Sequence, residues 1–308
     1  VQKVFKMGVK VWTDSTCINF VEDKNAQDKV VVVKEVGCWS DNGRVGGEQF
    51  LSLGNGCEKE GIAVHEVGHV LGLLHTMTRY DRDDYMKIVM QNVDPVNIGE
   101  FGKVSEELTE VYGRSYDYGS VMHHNELFAL PDLNFTPRLT CIITSSSING
   151  HPIMIAIDPY HQRTMGSERI SFTDIFVVNE RRGCNAKCRN STSTKCVNEG
   201  FPQPRNCSTC ICPTAYGGTL CNERARPPGC GEYLVANREK KKTLLFRFGS
   251  RSGHNDHFDF CNYMITAPKS TKIKVDLRLL TPAYEFLGCT EGGIEIKAQK
   301  NQKLTGYR

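Results

Sequence analysis

The sequence predicts an α+β protein in three parts, and three observations carry this prediction. Apolar residues recur at helical spacing between Val64 and Leu71, and Glu48–Leu53 has a modest strand pattern. Six cysteines lie between Cys188 and Cys221, in a stretch rich in Asn, Ser, Thr and Pro. Such a stretch is typical of a small module stabilised by disulfides rather than by an apolar core. Residues Lys272–Leu280 alternate in polarity, which predicts β-structure in the third part.

The composition indicates a folded protein from an oxidising compartment. A chain of 308 residues with 39% hydrophobic residues is long enough for more than one domain. The net charge of +3 is too small to indicate a nucleic acid or a membrane surface as partner. The sequence contains no run of about twenty apolar residues, so no membrane span is predicted. The 14 cysteines indicate a secreted, extracellular protein.

The stretch HEVGHVLGLLH, from His65 to His75, has the spacing of a metal site. His65 and His69 are four residues apart, so a helix places both imidazoles on one face. Gly72 can adopt a positive φ, which lets the chain leave the helix and bring His75 back to the same point. The alternative is an ordinary core helix with buried histidines, and the regular spacing argues against it.

This motif, H-E-x-x-H-x-x-G-x-x-H, indicates a catalytic zinc site with one zinc ion per chain. Three protein ligands leave one coordination position open, and zinc lowers the pKa of bound water toward about 7. Glu66 follows the first histidine and is placed to take a proton from that water. The motif is that of the metzincin proteases, which also need a turn with methionine. The stretch SYDYGSVMHH, Ser115–His124, offers Met122 for this turn.

Five separated motifs, in the same order, resemble the astacin family of zinc endopeptidases. They are TCINF at Thr16–Phe20, GCWSDNGRVGGEQFLSLGNGC at Gly37–Cys57, the histidine motif, TRYDRDDY at Thr78–Tyr85, and IDPYHQRTMGSERISFTDI at Ile157–Ile175. The resemblance covers nearly all of residues 1–184. It implies a two-lobed metzincin protease domain with an active-site helix and a mixed sheet.

The resemblance also implies an activity. It is that of a secreted zinc endopeptidase that hydrolyses peptide bonds of extracellular or matrix proteins. His65, His69 and His75 hold the zinc, and metal-activated water attacks the peptide carbonyl with Glu66 as general base. An extended protein or peptide substrate pairs with an exposed edge strand, which we expect at Glu48–Leu53.

Two positions depart from the family pattern. Family members usually have glutamate after the third histidine, where this chain has Thr76. They usually have tyrosine, a fifth zinc ligand that also stabilises the oxyanion, where this chain has His124. Histidine can bind zinc, donate a hydrogen bond or fill the open position, and a plain surface histidine is the alternative. The neighbouring His123 matches the usual histidine of the turn and is expected to be structural.

These departures keep a second function class open. In it, the chain is a catalytically impaired astacin-like protein that acts as an extracellular binding or scaffold protein through its carboxyl-terminal region. The presence of Glu66 favours the protease, and Thr76, His124 and an extra stretch at Pro131–Ser147 favour the scaffold. Zinc binding alone does not separate the two classes, because both keep the three histidines.

The cysteines mark the expected domains. The family pattern implies the pairs Cys17–Cys184 and Cys38–Cys57 in a protease domain at 1–184, whose amino-terminal part is expected to be missing. The run CSTCICPTAYGGTLC resembles an epidermal-growth-factor-like (EGF-like) module at 185–225. A zinc site at its C-x-x-C is the alternative. The usual pairing of such a module joins Cys188–Cys207, Cys196–Cys210 and Cys212–Cys221.

The third part, residues 230–308, resembles the first half of a CUB domain, a β-sandwich that can bind an extracellular protein ligand. The resemblance pairs Cys230 with Cys261 and implies a truncated domain, in which Cys289 pairs beyond Arg308. Protease, EGF-like module and CUB domain in this order are associated with secreted nematode astacins.

The sequence makes two further predictions, one about an insertion and one about glycosylation. Residues Pro131–Ser147, with the odd Cys141, are a possible insertion, either a real loop or a gene-model error. Asn134, Asn190 and Asn206 each begin an N-x-S/T sequence and are candidate glycosylation sites, although Cys207 stands inside the last one.

Overall fold

The computed structural model describes residues 1–127, 129–131, 143–189, 193–226, 229–238, 241–245, 260–278, 287–290 and 292–308. The α-helices of this part of the chain are α1 (Gln2–Ser15), α2 (Glu60–Val70) and α3 (Phe172–Arg181). Short 3₁₀ turns cover Thr76–Thr78, Arg82–Asp84, Met90–Asn92, Pro95–Phe101, Pro159–Thr164, Cys184–Cys188 and Leu287–Cys289. None of the described helices is long and apolar enough to cross a bilayer.

The strands are short. They are β1 (Lys29–Val33), β2 (Cys38–Ser40), β3 (Glu48–Leu53), β4 (Met86–Ile88), β5 (Ala129–Pro131), β6 (Ile143–Ser145), β7 (Met154–Ala156), β8 (Phe201–Gln203), β9 (Asn206–Ile211), β10 (Tyr216–Gly217), β11 (Glu223–Arg224), β12 (Tyr233–Val235) and β13 (Met264–Thr266). The mixed sheet has the order β1-β3-β2, with β1 parallel and β2 antiparallel to β3. Two-stranded pairs join β4 to β7, β5 to β6, β8 to β9, β10 to β11 and β12 to β13.

The order of the mixed sheet corrects one expectation. Strand β3 is central, with Lys29 opposite Glu48 on one side and Ser40 opposite Leu51 on the other. It therefore has no free edge for a substrate. Among the described strands, β1 and β2 form the two edges of this sheet, one on each side of β3. The sequence of β3 did not reveal this, because a central strand and an edge strand both need a buried face.

The main core lies between helices α1, α2 and α3 and strand β3. Trp12 of α1 is fully buried, and its Nε1–H donates to the carbonyl of Val64 in α2 at 2.9 Å. Leu51 and Leu53 of β3 face the same core, and burying such an apolar side chain contributes about 1.5–3 kcal/mol. Two buried valines, Val177 and Val178, add α3 to this cluster. The packing fixes α2 from two sides.

A second buried cluster contains the β4–β7 pair and the tyrosines that precede the methionine turn. Its buried members are Met77, Met86, Val93, Phe101, Tyr116, Tyr118, Ile153, Met154, Ala156 and Met165. Tyr85 stacks on Tyr116 with ring centroids 4.8 Å apart. After the histidine motif the chain continues through Thr76 and contributes Met77 to this second cluster. The third histidine, His75, therefore lies in the sequence between residues of the main core and residues of the second cluster.

Six disulfides stabilise the described chain. They join Cys17–Cys184, Cys38–Cys57, Cys188–Cys207, Cys196–Cys210, Cys212–Cys221 and Cys230–Cys261. Among the cysteines that the structure describes, Cys289 forms no disulfide. The first bond ties the end of α1 to the end of α3, and three bonds lie in the short β8–β11 region. A region of that size depends on such cross-links because it has little apolar core.

The β8–β9 region contacts the end of α1. The Nε–H of Arg205 is shared between the carbonyls of Thr13 and Thr16 at 2.9 and 2.7 Å, and its Nη2 donates to Ile18 O at 2.6 Å. The last carbonyls of a helix lack partners inside the helix. A guanidinium at this end therefore both satisfies them and complements the negative end of the helix dipole.

The carboxyl-terminal region differs from expectation in one respect. Residues 272–278 do not form a strand, and their side chains are mostly exposed. In the part of the chain that the structure describes, the alternating apolar side chains of this segment have no buried surface against which to pack. Residues 292–308 instead pack on the first part of the chain. Thr305 N–H donates to Asp117 Oδ1 at 3.1 Å, and Tyr307 Oη–H donates to Asp158 Oδ2 at 3.1 Å.

The expected insertion is described only at its ends. There β5 pairs antiparallel with β6, with Pro131 opposite Ile143. Residues 132–142 lie outside the described residues, and with them Asn134 and Cys141. Asn190 also lies outside them.

Candidate active site

Helix α2 carries the first part of the site and ends in a glycine turn. Gly72 has φ +88°, a conformation that favours glycine, and its N–H donates to His69 O at 2.7 Å. Leu73 N–H donates to Gly68 O at 3.0 Å. These two bonds form a Schellman motif, which satisfies the last carbonyls of the helix. The chain then reverses and carries His75 back toward α2, as the spacing predicts.

Three imidazoles converge on one point. His75 Nε2 lies 3.3 Å from His65 Nε2 and 3.1 Å from His69 Nε2. Ligand nitrogens in a tetrahedral site with zinc–nitrogen bonds of about 2.0–2.1 Å lie about 3.3 Å apart. The observed separations have this size, so the residues fit a zinc ion.

Backbone carbonyls set the tautomers of the helix histidines. His65 Nδ1–H donates to Val121 O at 2.7 Å, and His69 Nδ1–H donates to Leu73 O at 2.9 Å. A proton on Nδ1 leaves the lone pair of Nε2 free for a metal, which is the usual arrangement around metal-binding histidines. Burial lowers the pKa of His65 to about 3 and also lowers the pKa of His69. Both rings are therefore neutral at physiological pH.

Glu66 is buried beside this cluster, with 4% of its surface exposed. Its Oε2 has no hydrogen-bond partner among the described residues. An unpartnered buried carboxylate oxygen is unusual and calls for a ligand or a water as partner. Burial raises the pKa of Glu66 to about 8. A bound cation would oppose that effect, since an opposite charge nearby favours the ionised carboxylate.

The methionine turn lies directly under α2. Met122 is 1% exposed, and a Cβ placed on Gly68 would lie 2.7 Å from its Sδ. Thr76 N–H donates to Met122 O at 2.9 Å, which joins the turn to the residue after His75. Glycine at position 68 is needed because the helix and the methionine approach so closely.

Sequence reasoning missed a buried network behind this turn. The Asp174 carboxylate accepts bonds from Ser120 Oγ at 2.6 Å and from Val121 N–H at 2.9 Å. Thr76 Oγ1 donates to Ser120 Oγ at 2.9 Å. Asp174 also forms the capping box of α3 with Ser171. The capping box is visible in the sequence as S-x-x-D, but the link to the methionine turn joins residues 53 positions apart.

The two histidines after Met122 occupy different environments. His123 is 2% exposed; its Nε2 lies 2.7 Å from Tyr116 Oη, and its Nδ1 lies 2.6 Å from the carbonyl of His124. Burial lowers the pKa of His123 to about 4, so the ring carries one proton. That proton is on Nδ1, because a carbonyl only accepts, and Tyr116 then donates to Nε2.

His124 faces the histidine cluster. Its Nε2 lies 3.0 Å from His75 Nε2, and nitrogens of His65, His75 and His124 all lie within 4.8 Å of one another. The side chain is partly buried. His124 is therefore not a plain surface histidine, which was the alternative that the sequence allowed.

Asn206 is the sequon residue that the structure describes. It is exposed at the start of β9, and its Oδ1 accepts from Ser208 Oγ at 2.6 Å. Cys207, inside the same sequon, is held in its disulfide with Cys188. Glycosylation of Asn206 stays a prediction.

Comparisons with known proteins agree with this site. Residues 1–182 match the family model described as Astacin, a peptidase family. The chain is 41% identical over 307 residues to zinc metalloproteinase nas-31 of Caenorhabditis elegans, which covers 99% of this chain and 47% of that protein. It is 35% identical to nas-23 of the same organism, over 96% of this chain and 52% of that protein.

A third relative is matched over more of its own length. Zinc metalloproteinase nas-25 of Caenorhabditis elegans is 33% identical over 100% of this chain and 74% of that protein. This chain spans about half the length of the first two relatives. The family implies zinc, and the histidine cluster supplies nitrogens at the right separations for it. The chain therefore belongs to the astacin family of zinc metalloproteases.

Proposed function

We propose that this protein is a secreted zinc-dependent endopeptidase that hydrolyses peptide bonds of extracellular or matrix proteins, with Glu66 as general base. The observation that supports this proposal is a cluster of imidazole nitrogens at zinc-ligand separations, next in the chain to a buried carboxylate oxygen without a partner. His65, His69 and His75 would hold one zinc ion. Bound zinc would supply a Lewis acid that makes water acidic near neutral pH and polarises a peptide carbonyl.

The chain's own residues supply the proton transfers. Glu66 Oε2 accepts a proton from the attacking water and returns it to the amine of the leaving peptide. The carbonyl of Val121 holds His65 in one tautomer and one orientation throughout. Met122 and Gly68 pack against each other under α2, so the helix that carries Glu66 has little freedom to shift.

We propose that the substrate adds a strand to β2. Asp41 N–H donates to Phe50 O at 3.1 Å, and Trp39 is opposite Ser52, so these residues turn their backbone groups toward β3. Bonding alternates along an antiparallel pair, and Ser40 therefore turns its backbone toward the free edge. Gly43 N–H donates to His69 O at 2.8 Å, which holds the chain after β2 beside α2. Backbone N-methylation of a cleaved peptide, moved one position at a time, tests this. Cleavage should fall at alternate positions, and equal cleavage at all positions contradicts the proposal.

The remaining regions are proposed to be extracellular modules. The pairs Cys188–Cys207, Cys196–Cys210 and Cys212–Cys221, with the small antiparallel pairs β8–β9 and β10–β11, support an EGF-like module at 185–225. Residues 230–308 are proposed as a CUB region with an extracellular protein ligand, supported by the Cys230–Cys261 bond. Several disulfides support secretion into an oxidising compartment.

One observation favours the second function class. His124 Nε2 lies 3.0 Å from His75 Nε2, close to where a substrate oxygen must enter. A protein in which His124 permanently closed the site would keep the fold and act as a binding or scaffold protein through its CUB region. The other departure from the family pattern is Thr76, at a position where the family usually has glutamate.

Cleavage of gelatin and casein by the secreted full-length protein separates the two classes. The wild type is compared with Glu66→Ala, with a chelator-treated sample, and with Glu107→Ala, an exposed carboxylate outside the site. Zinc content and folding are measured for each. The protease proposal is supported if cleavage is lost in Glu66→Ala and in the chelator-treated sample and is kept in Glu107→Ala. No cleavage by a folded, zinc-loaded wild type contradicts it and favours the scaffold.

A further inference from the structure

We infer, on the basis of the proposed zinc site, that residues 292–308 help to position that site through the methionine turn. These residues are called the carboxyl-terminal clamp below. Thr305 of the clamp and Asp117 of the turn are the positioning residues. Neither is a proposed metal ligand, and both act through the backbone that orients His65.

The clamp is firmly attached to the protease part. Tyr307 Oη–H donates to Asp158 Oδ2 at 3.1 Å, and Arg308 Nη1–H donates to Ser167 Oγ at 2.7 Å. Arg308 is itself held by Glu295, with Nη2 and Oε2 3.0 Å apart, and both side chains are largely buried. Bonds that involve charged groups are stronger than neutral ones. The clamp therefore has a defined position on this surface.

Asp117 joins the clamp to the methionine turn. This residue is 2% exposed, and its Oδ1 accepts the N–H of Thr305 and the N–H of Gly119, each at 3.1 Å. Its own carbonyl accepts the N–H of Ser120 at 3.1 Å. One buried oxygen thus serves both the clamp and the turn, so a change in either contact is felt by the other.

Opposite charges add to this contact. Lys297 of the clamp has a buried Nζ without a hydrogen-bond partner among the described residues, and the same holds for Asp117 Oδ2. Burial lowers the pKa of Lys297, and the carboxylates of Glu295 and Asp117 oppose this effect. A positive charge of the clamp therefore attracts a negative charge of the turn across the interface.

The packing between Gly119 and Thr305 leaves no free space. A Cβ placed on Gly119 would lie 2.3 Å from Thr305 Cγ2, and Thr305 is 6% exposed. Closely packed contacts transmit a displacement because they contain no voids that could absorb it. A shift of the clamp would therefore move the backbone at residues 117–119.

The last link leads from the turn to a proposed zinc ligand. Val121, two residues after Gly119, accepts His65 Nδ1–H with its carbonyl at 2.7 Å. Loss of a partner that orients a metal-binding histidine typically costs about tenfold to a hundredfold in metal affinity. The N–H of Val121 is also bonded to Asp174 at 2.9 Å, so the clamp supplies only part of the restraint. We therefore expect a smaller change when the contact with the clamp is lost.

The test uses the full chain and measures zinc affinity by competition with a chelator. In Gly119→Ala the new Cβ displaces Thr305, and zinc affinity should fall about threefold to tenfold, the range expected for one lost hydrogen bond. Adding Thr305→Gly to Gly119→Ala should restore the affinity, because this change removes the crowded side chain and keeps the N–H donor. Thr305→Pro removes that donor and is a second, independent variant with the same expected loss.

A spectrum separates positioning from a general loss of stability. Cobalt(II) in place of zinc gives a visible absorption that depends on the geometry of its ligands. The spectrum should change in Gly119→Ala and return in the double variant. Gly200→Ala is the matched control, since its Cβ would lie 2.5 Å from Cys221 Sγ in the β8–β11 region. It should change neither the zinc affinity nor the spectrum.

Unchanged zinc affinity in folded Gly119→Ala or in folded Thr305→Pro overturns the inference. A loss in Gly119→Ala that Thr305→Gly fails to restore also overturns it. The proposed zinc site survives either result if the wild type binds one zinc ion and His65→Ala binds none. A wild type that binds no zinc overturns both.

Discussion

The carboxylate of Asp174 accepts the backbone N–H of Val121 at 2.9 Å, and the carbonyl of the same Val121 accepts His65 Nδ1–H at 2.7 Å. One peptide segment thus links the amino-terminal end of α3 to a histidine of the metal cluster. Asp174 is fixed in turn by its capping box with Ser171. The orientation of His65 therefore depends on a residue more than 100 positions away in the chain.

This buried carboxyl gives stability a pH dependence. Burial raises the pKa of Asp174 from 3.8 to about 6, although its hydrogen bonds oppose the rise. The folded state thus binds the proton more tightly than the unfolded state. The resulting stabilisation is complete below about pH 4 and is lost as the pH rises through about 6. Relative to Asp174→Asn, the wild type should lose up to about 3 kcal/mol of unfolding free energy over this range.

Urea unfolding at several pH values checks this prediction. Asp23→Asn, at an exposed aspartate, should follow the wild-type profile. A constant difference between wild type and Asp174→Asn from pH 4 to pH 7 would mean that Asp174 keeps an ordinary pKa in the folded protein.

The close approach of Gly68 to Met122 predicts a second stability effect. In Gly68→Ala the new Cβ would lie 2.7 Å from Met122 Sδ, and the methionine has little room because it is 1% exposed. Overpacking of this kind should cost about 1–2 kcal/mol, after the gain in helix propensity. Gly99→Ala is the control, since a Cβ there meets nothing within 4 Å. Equal melting temperatures for the two variants would show that the methionine turn adapts.

Metal removal should destabilise the fold, because the proposed ligands from α2 and from beyond its glycine turn would meet at one ion. Zinc at about 1,000 times its Kd should add about 4 kcal/mol to the free energy of unfolding. We expect a chelator to lower the Tm of the wild type and to leave His65→Ala unchanged. A wild-type Tm that ignores both zinc and chelator would contradict a zinc site that forms only in the folded chain.

Arg205 should stabilise α1 from outside the helix. In Arg205→Ala, the carbonyls of Thr13, Thr16 and Ile18 lose their charged donor, and we expect a loss of about 1 kcal/mol because the side chain is exposed. Arg189→Ala removes another exposed arginine, whose partner is Glu180, and it should cost no more than about 0.5 kcal/mol. Denaturant unfolding compares the two, and a larger loss in Arg189→Ala would refute the prediction.

The parts of the site that the sequence predicts are local. The i, i+4 spacing of His65 and His69 and the glycine at position 72 are enough to predict a helix and a reversal, and both are present. Whether β3 lies at an edge depends on how many strands pair with it, which its own sequence does not show, so its edge position was predicted wrongly. The contact of Asp174 with Val121 could not be predicted for the same reason. The spacing of residues in the sequence shows which side chains share one face of a helix or strand. Which other helix or strand packs against that face depends on tertiary packing.

The contact of Thr305 with the loop before Met122 limits which parts of related chains can be exchanged. A Cβ placed on Gly119 would lie 2.3 Å from Thr305 Cγ2, and Thr305 N–H is bonded to Asp117. Any larger residue at position 119 would push residues 292–308 off this surface. A chimera that takes its carboxyl-terminal region from this chain therefore needs glycine at the corresponding position of its protease part. Gly119 and Thr305 are far apart in sequence, but a chimera has to keep them as a matched pair.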